Sequence, residues 1–280
     1  MSHPISKRME NALCLLLFLG VGSADGSEIL FGIPVEIHLP ENAQGGYYLT
    51  DVVTGDLNND GRRDVIVASN YPYPPKMFVL LNLDGPGTLV EFPSDAKSQV
   101  QETALADLNQ DGYPDLIGAG PSAVTVWING GNAPNWVGFD SPVVYTSPAR
   151  GSGDLVVFDA DGDEFPDIAV TAWSTGSSPY PWIDPGEESD FYVWHSQPDG
   201  TLQLSDIQVE ISPGATDIAA ADFNRDGWED LAISYSPGSS TGESGVLILS
   251  NAGETGGFQN SLFIDLPSPQ ALGVIDADRN

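Results

Sequence analysis

Beyond about residue 28 the apolar residues fall in short runs that follow one order again and again. First comes a run of small and apolar residues, at 52–55, 104–106, 155–158 and 218–221. A nearly continuous apolar run follows about ten residues later, with Val-Ile-Val at 65–67, Leu-Ile-Gly at 116–118, Ile-Ala-Val at 168–170 and Leu-Ala-Ile at 231–233. A third run ends in a polar turn, at 79–82, 124–129, 192–195 and 246–251. The fourth alternates and closes on proline, at 35–40, 89–93, 143–148, 209–213 and 262–267. Continuous apolar runs bounded by turn residues predict buried strands. Alternation predicts a strand with one wet face, and a terminal proline suits an outer edge. No helical periodicity occurs after the first two dozen residues.

Between the first and second runs stands an acidic motif. Its copies place oxygen-bearing side chains at positions 1, 3, 5 and 9: Asp56, Asn58, Asp60 and Asp64; Asp107, Asn109, Asp111 and Asp115; Asp159, Asp161, Asp163 and Asp167; Asp222, Asn224, Asp226 and Asp230. Asp276, Asp278 and Asn280 begin a fifth copy. Calcium takes about 6–8 hard oxygen ligands at about 2.3–2.6 Å. Side chains from a curled loop can supply these, with backbone carbonyls at position 7 (Arg62, Tyr113, Phe165 and Trp228) completing each set. Gly61, Gly112 and Gly227 at position 6 permit the sharp turn. The third loop has Glu164 there, which makes its geometry the expected exception. An EF-hand needs a bidentate Glu at position 12 and flanking helices. Position 12 is Val67, Gly118, Val170 or Ile233, and strands follow, so that reading fails. Four copies in register also argue against acidic turns that are merely solvated.

A period of roughly 50 residues with about four strands each predicts an all-β fold, a β-propeller of four-stranded blades. The blades are expected near 41–93, 94–148, 149–213 and 214–267, with a partial fifth over 268–280. Small residues on the first strand suit a crowded axis, and the alternating fourth strand suits a rim.

The chain has 40 acidic and 9 basic residues among 280, a net charge of −31. That excludes a nucleic-acid partner, whose phosphates need a basic surface. Lys7 and Arg8 precede an apolar run at 12–19, followed by Gly22, Ser23 and Ala24. This predicts a cleaved secretory signal over 1–24, too short for a transmembrane segment. The one cysteine, Cys14, lies inside it, so calcium rather than disulfides is the expected staple of a secreted chain.

The motif, its flanking strands and its period together resemble the FG-GAP, or VCBS-type, repeat of integrin-α-like propellers. The resemblance covers roughly residues 29–280. It implies Ca²⁺ in about four sites, at the four complete loops. It also implies that the calcium loops share one face of the propeller while the loops between second and third strands share the other. Such propellers generally have seven or so blades. With four blades and a start of a fifth, this chain is expected to be part of a larger propeller.

Three loops of the second kind carry aromatic residues: Tyr71 and Tyr73; Trp173, Tyr180 and Trp182; and Tyr235. Held among prolines, they are candidates for stacking on sugars or anchoring a protein partner; packing on their own blade is the alternative. Neither His38 nor His195 has a neighbouring cysteine or Gly-x-Ser-x-Gly motif to make a nucleophile, and no phosphate-binding glycine loop or zinc motif is present. The expectation is therefore a secreted or cell-surface, non-catalytic binding or adhesion module for protein or carbohydrate. The alternative is the propeller of a polysaccharide-active enzyme such as a lyase. Lys76 is the one basic residue near the aromatic loops.

Overall fold

A computed structural model of the chain describes residues 20–22, 29–31, 47–71, 73–82, 88–93, 99–131, 136–147, 152–172, 191–205, 215–235, 244–253, 257–267, 269 and 271–274. Two compact units are distinguished, Met1–Tyr48 and Leu49–Asn280. In the first, β1 (Gly20–Gly22) pairs antiparallel with β2 (Ile29–Phe31), Val21 opposite Leu30. The propensity for strands carries through the second unit, where no helix occurs among the described residues.

Four four-stranded antiparallel sheets follow one another there. The first holds β3 (Tyr48–Gly55), β4 (Asp64–Tyr71), β5 (Lys76–Leu81) and β6 (Thr88–Pro93). Next come β7 (Glu102–Ala106), β8 (Asp115–Gly120), β9 (Ala123–Trp127) and β10 (Val143–Thr146). The third is β11 (Ser152–Phe158), β12 (Asp167–Ala172), β13 (Phe191–Ser196) and β14 (Leu202–Leu204). The last is β15 (Ala215–Ala221), β16 (Asp230–Tyr235), β17 (Gly245–Asn251) and β18 (Phe258–Asp265). In each, sequence order equals spatial order. The register repeats as well. The residue two beyond the ninth loop position pairs the same way every time: Ile66 with Val79, Ile117 with Val126, Ala169 with Val193, Ala232 with Ile248.

The third sheet differs from expectation at its edge. The alternating run at 209–213 lies outside the described residues, as does the run at 35–40. The strand that pairs with β13 is Leu202–Leu204. A Gln197-Pro-Asp-Gly-Thr201 turn brings it there. Gly200 takes φ +77° and donates its N–H to the Gln197 carbonyl, and Gln197 N–H reaches Thr201 O at 2.8 Å. Pro-Asp-Gly is strong turn chemistry, and it returns the chain at once onto β13.

The buried faces stack sheet on sheet. Ile66, Met77 and Val79 of the first sheet pack with Val100, Leu116 and Trp127 at the second. Ile117, Val124 and Val126 pack with Leu155, Ile168 and Trp194 of the third. Ala169, Phe191 and Val193 pack with Ile218, Leu231, Ile233 and Leu249 of the fourth. Each large aliphatic side chain removed from water contributes about 1.5–3 kcal/mol. Second and third strands are therefore buried, as their apolar runs predicted, while β10 keeps exposed positions. This arrangement presents the four loops between first and second strands from equivalent places.

Candidate metal centres

Each acidic loop folds around its own backbone N–H groups. In the first, Asp56 accepts from Asp60 N at 3.0 Å and Gly61 N at 2.8 Å. Asn58 Oδ1 accepts from Asp60 N at 3.1 Å, and Asp60 Oδ1 from Arg62 N at 2.9 Å. The second loop repeats this with Asp107, Asn109 and Asp111, whose carboxylate takes Tyr113 N. The fourth repeats it with Asp222, Asn224 and Asp226, the last accepting from Trp228 N. In the third, Asp159 accepts from Gly162 N and Glu164 N, Asp161 from Asp163 N, and Asp163 from Phe165 N. Carboxylate oxygens of Asp159, Asp161 and Asp163 lie within 4.8 Å of one another.

The ninth-position carboxylates are fully buried. Asp64 accepts from Leu57 N and Asn82 N; Asp115 from Leu108 N and Asn129 N; Asp167 from Ala160 N and Ser196 N; Asp230 from Phe223 N and Asn251 N. Each therefore ties the loop to the end of the third strand. Burial pushes Asp115 up to about 6 and Asp64 upward, against the lowering effect of those N–H donors and with added repulsion from the neighbouring loop carboxylates. A cation among these groups would relieve both penalties. The donor set is oxygen only in the first, second and fourth loops, which fits calcium. In the first, Arg62 already pairs with Asp60 Oδ2 at 2.8 Å.

Glu164 does take a left-handed backbone, φ +72°, where Gly61, Gly112 and Gly227 have +82°, +89° and +95°. Position 4 is left-handed too, in Asn59, Gln110 and Arg225 at +54°, +55° and +64°. In the third loop that position is Gly162, at +79°. Each loop thus has one glycine and one strained residue, and the third has only exchanged their places. A Cβ on Gly162 would stand 2.5 Å from the Trp228 ring of the fourth loop. Glu164→Gly is expected to stabilise the chain by about 1 kcal/mol. Gly162→Ala is expected to cost about 1–3 kcal/mol through the clash. Urea unfolding of the two variants compares them, and equal signs would refute this account.

Several functional side chains escaped the sequence reading. Asn129 Nδ2 donates back to Leu57 O and Asn251 Nδ2 to Ala160 O, at 3.0 and 2.9 Å, both reaching position 2 of the preceding loop. Asn59 Nδ2 reaches Gly112 O at 2.8 Å, and Gln110 Nε2 reaches Glu164 O at 2.9 Å, so position 4 of one loop holds position 6 of the next. The ring of Trp228 stands over Gly162 instead.

A row of carboxylates also recurs five residues before each loop: Asp51, Glu102, Asp154 and Asp217. Asp51 accepts from Thr103 N at 2.7 Å, Asp154 from Ile218 N at 3.4 Å, and Asp217 from Leu272 N. Each reaches the strand or segment of the following repeat. Burial, then Asp51 and Asp217, push Glu102 up to about 7. Burial and a hydrogen bond with Asp217 raise Asp154 well above the carboxylate range. Raised folded-state values stabilise below the unfolded pKa and lose that contribution as pH climbs through the folded one. Metal-free protein is therefore expected to melt higher at pH 5 than at pH 8. Thermal scans in chelator check this; a higher midpoint at pH 8 would refute it.

Of the candidate surface aromatics, Tyr71 and Tyr73 are 49% and 64% exposed. Tyr235 ends β16. Trp173, Tyr180 and Trp182 lie outside the described residues, as do Asp276, Asp278 and Asn280. His195 stands with the acidic third loop, 3.1 Å from Asp167. That bond raises its pKa, with burial opposing.

Residues 107–170 match the FG-GAP-like repeat. Over that segment the chain is similar to an FG-GAP-like repeat. The matched FG-GAP segment runs from the second acidic loop into the strand after the third. An 89-residue stretch is 29% identical to integrin alpha-3 of Cricetulus griseus and equally to that of Mus musculus. It covers 28% of this chain and 8% of each integrin chain, so the match spans a small part of those relatives. The V. cholerae biofilm matrix protein Bap1 aligns over 77% of this chain and 38% of its own, at 19% identity and a TM-score of 0.36. No helix among the described residues is long and apolar enough to cross a membrane.

Proposed function

We propose that these FG-GAP repeats form blades of a calcium-loaded β-propeller that works outside the cell as a binding or adhesion module for protein or carbohydrate. The observation that carries the reading is the recurrence of one hydrogen-bonded loop in four sheets whose second and third strands pair in one register. Asp56, Asp107, Asp159 and Asp222 curl each loop by holding two N–H groups apiece, while Asp64, Asp115, Asp167 and Asp230 fasten it to the sheet. Calcium, when bound, supplies the positive charge that lets these carboxylates stay ionised and close together. The residues themselves hold the loop shape and place the oxygens.

The likeness to integrin alpha-3 supports an extracellular adhesive role, and the predicted signal over 1–24 agrees with it. The exposed Tyr71 and Tyr73 offer rigid amphipathic rings to a ligand. Isothermal titration of the chain with calcium tests the metal reading. Several equivalents should bind, and Asp222→Asn should remove one of them. No calcium heat, or a count unchanged by Asp222→Asn, would refute it.

A further inference from the structure

One loop of the four has an imidazole beside it. His195 lies near the end of β13, next to Ser196, whose N–H binds Asp167 Oδ1 at 2.9 Å. The same place in the other sheets is held by Leu81, Ile128 and Ser250, none of which brings a nitrogen donor. Among the four complete loops the third is also alone in carrying an aspartate at position 3. Asp161 stands where Asn58, Asn109 and Asn224 stand elsewhere. The two departures meet in space. His195 Nδ1 is 3.1 Å from Asp167 Oδ2 and 3.5 Å from Asp161 Oδ2, and the three donor atoms lie within 4.8 Å of one another.

We propose that His195 Nδ1, Asp161 and Asp167 hold a divalent transition cation of the zinc class, so that the third loop selects a different ion from its neighbours. The inference rests on the reading that these loops hold cations, and it changes which ion one of them takes. Zinc binds histidine nitrogen and carboxylate oxygen at about 2.0–2.2 Å. Neighbouring ligands on such a shell are separated by about 3.0 Å in an octahedron and about 3.4 Å in a tetrahedron. The observed separations are of that size. Imidazole favours zinc and its first-row neighbours, whereas calcium takes oxygen.

The surroundings suit a site. Asp167 is buried and fixed by Ala160 N and Ser196 N, so its oxygens have little freedom to move. The Asp161 side chain is 42% exposed, which leaves a way in from solvent. Two carboxylates and one imidazole leave positions for water, or for Asp159 and Asp163 of the same loop. Asp161 and Asp167 belong to the calcium-type set as well, so zinc and calcium exclude each other here. The other reading of the contact is a plain hydrogen bond from His195 to Asp167. Yet Asp64, Asp115 and Asp230 are held by the same pair of backbone donors without any histidine.

The test uses the full chain in calcium at about millimolar concentration, the extracellular range, titrated with Zn²⁺ by calorimetry and with Co²⁺ by absorption. One equivalent of Zn²⁺ is expected to bind over the calcium background, and Co²⁺ to develop ligand-field bands of a nitrogen–oxygen shell. His195→Gln should weaken zinc by about tenfold or more, the equivalent of about 1.4 kcal/mol, and remove those bands. Asp222→Asn in the fourth loop should leave both unchanged while costing one calcium. Nitrogen-15 spectra of the unsubstituted chain provide a readout that needs no variant: zinc should shift the His195 Nδ1 resonance. Zinc affinity and cobalt bands that survive His195→Gln would overturn the proposal, as would an Nδ1 resonance that zinc does not move. Zinc bound through His195 without any calcium heat would uphold it and refute the calcium reading instead.

Discussion

Calcium is expected to raise the melting temperature of this protein by on the order of 20 °C over the same chain in chelator. A ligand that binds only the folded state at about 100 times its Kd adds about 2.7 kcal/mol per site. Three or four loops filled together therefore sum to on the order of 10 kcal/mol. For a domain of this size each kcal/mol moves the midpoint by about 2–4 °C. The local reason is repulsion. Three or four carboxylates converge in every loop, and a chain of net charge −31 has few cations of its own to set among them. Magnesium should restore little, because it demands a smaller octahedral shell and gives up its waters reluctantly. Differential scanning calorimetry in calcium, magnesium and chelator checks the order. Coincident midpoints in calcium and chelator would refute it.

The second large effect belongs to a residue that works even without metal. Asp115→Ala should destabilise the chain by about 4 kcal/mol, in chelator as well as in calcium. Its carboxylate is fully buried and accepts from Leu108 N at 3.0 Å and Asn129 N at 2.7 Å. Removing it leaves two buried N–H groups without a partner, at about 1–3 kcal/mol each, and opens a small void. Asp111→Ala is the comparison. Asp111 is exposed, and its loss should matter in calcium and little in chelator. Urea titrations under both conditions separate the two. If Asp115→Ala cost nothing in chelator, the carboxylate would be a metal ligand alone and not a strut.

The strands and loops were legible because they are local. Asp-x-Asn-x-Asp-Gly followed by Val-Ile-Val announces both a ligand set and the buried strand after it. The register was implicit too, since every loop enters its strand at the ninth position. What the sequence hid are bonds whose partners sit one repeat away. Asp51, Glu102, Asp154 and Asp217 recur at a fixed offset, but a carboxylate on a first strand reads as solvent-facing until its neighbour is placed beside it. Asn129 and Asn251 look like turn residues at strand ends, and only packing shows that they grip the preceding loop. Glu164 was visible as an anomaly. Its compensation by Gly162 was not, because the left-handed backbone of position 4 is borne by Asn59, Gln110 and Arg225 elsewhere. The short strand Leu202–Leu204 was missed for a simpler reason. The Pro-Asp-Gly turn before it outweighs the stronger alternation farther on.

The side chains at position 4 have one more effect. Asn59 grips the turn of the second loop and Gln110 the turn of the third, but Gly162 has no arm to extend to the fourth. The first three loops are rungs of one ladder, while the fourth lacks that rung and meets the third through the face of the Trp228 indole and a long bond from Asp159 N to Glu229 Oε2 at 3.3 Å. A cation settling in any of the three sets the turn geometry its neighbour will offer to the next ion. Occupancy of those three should rise together along a steep limb of the binding curve, with the fourth filling on a shallower limb of its own.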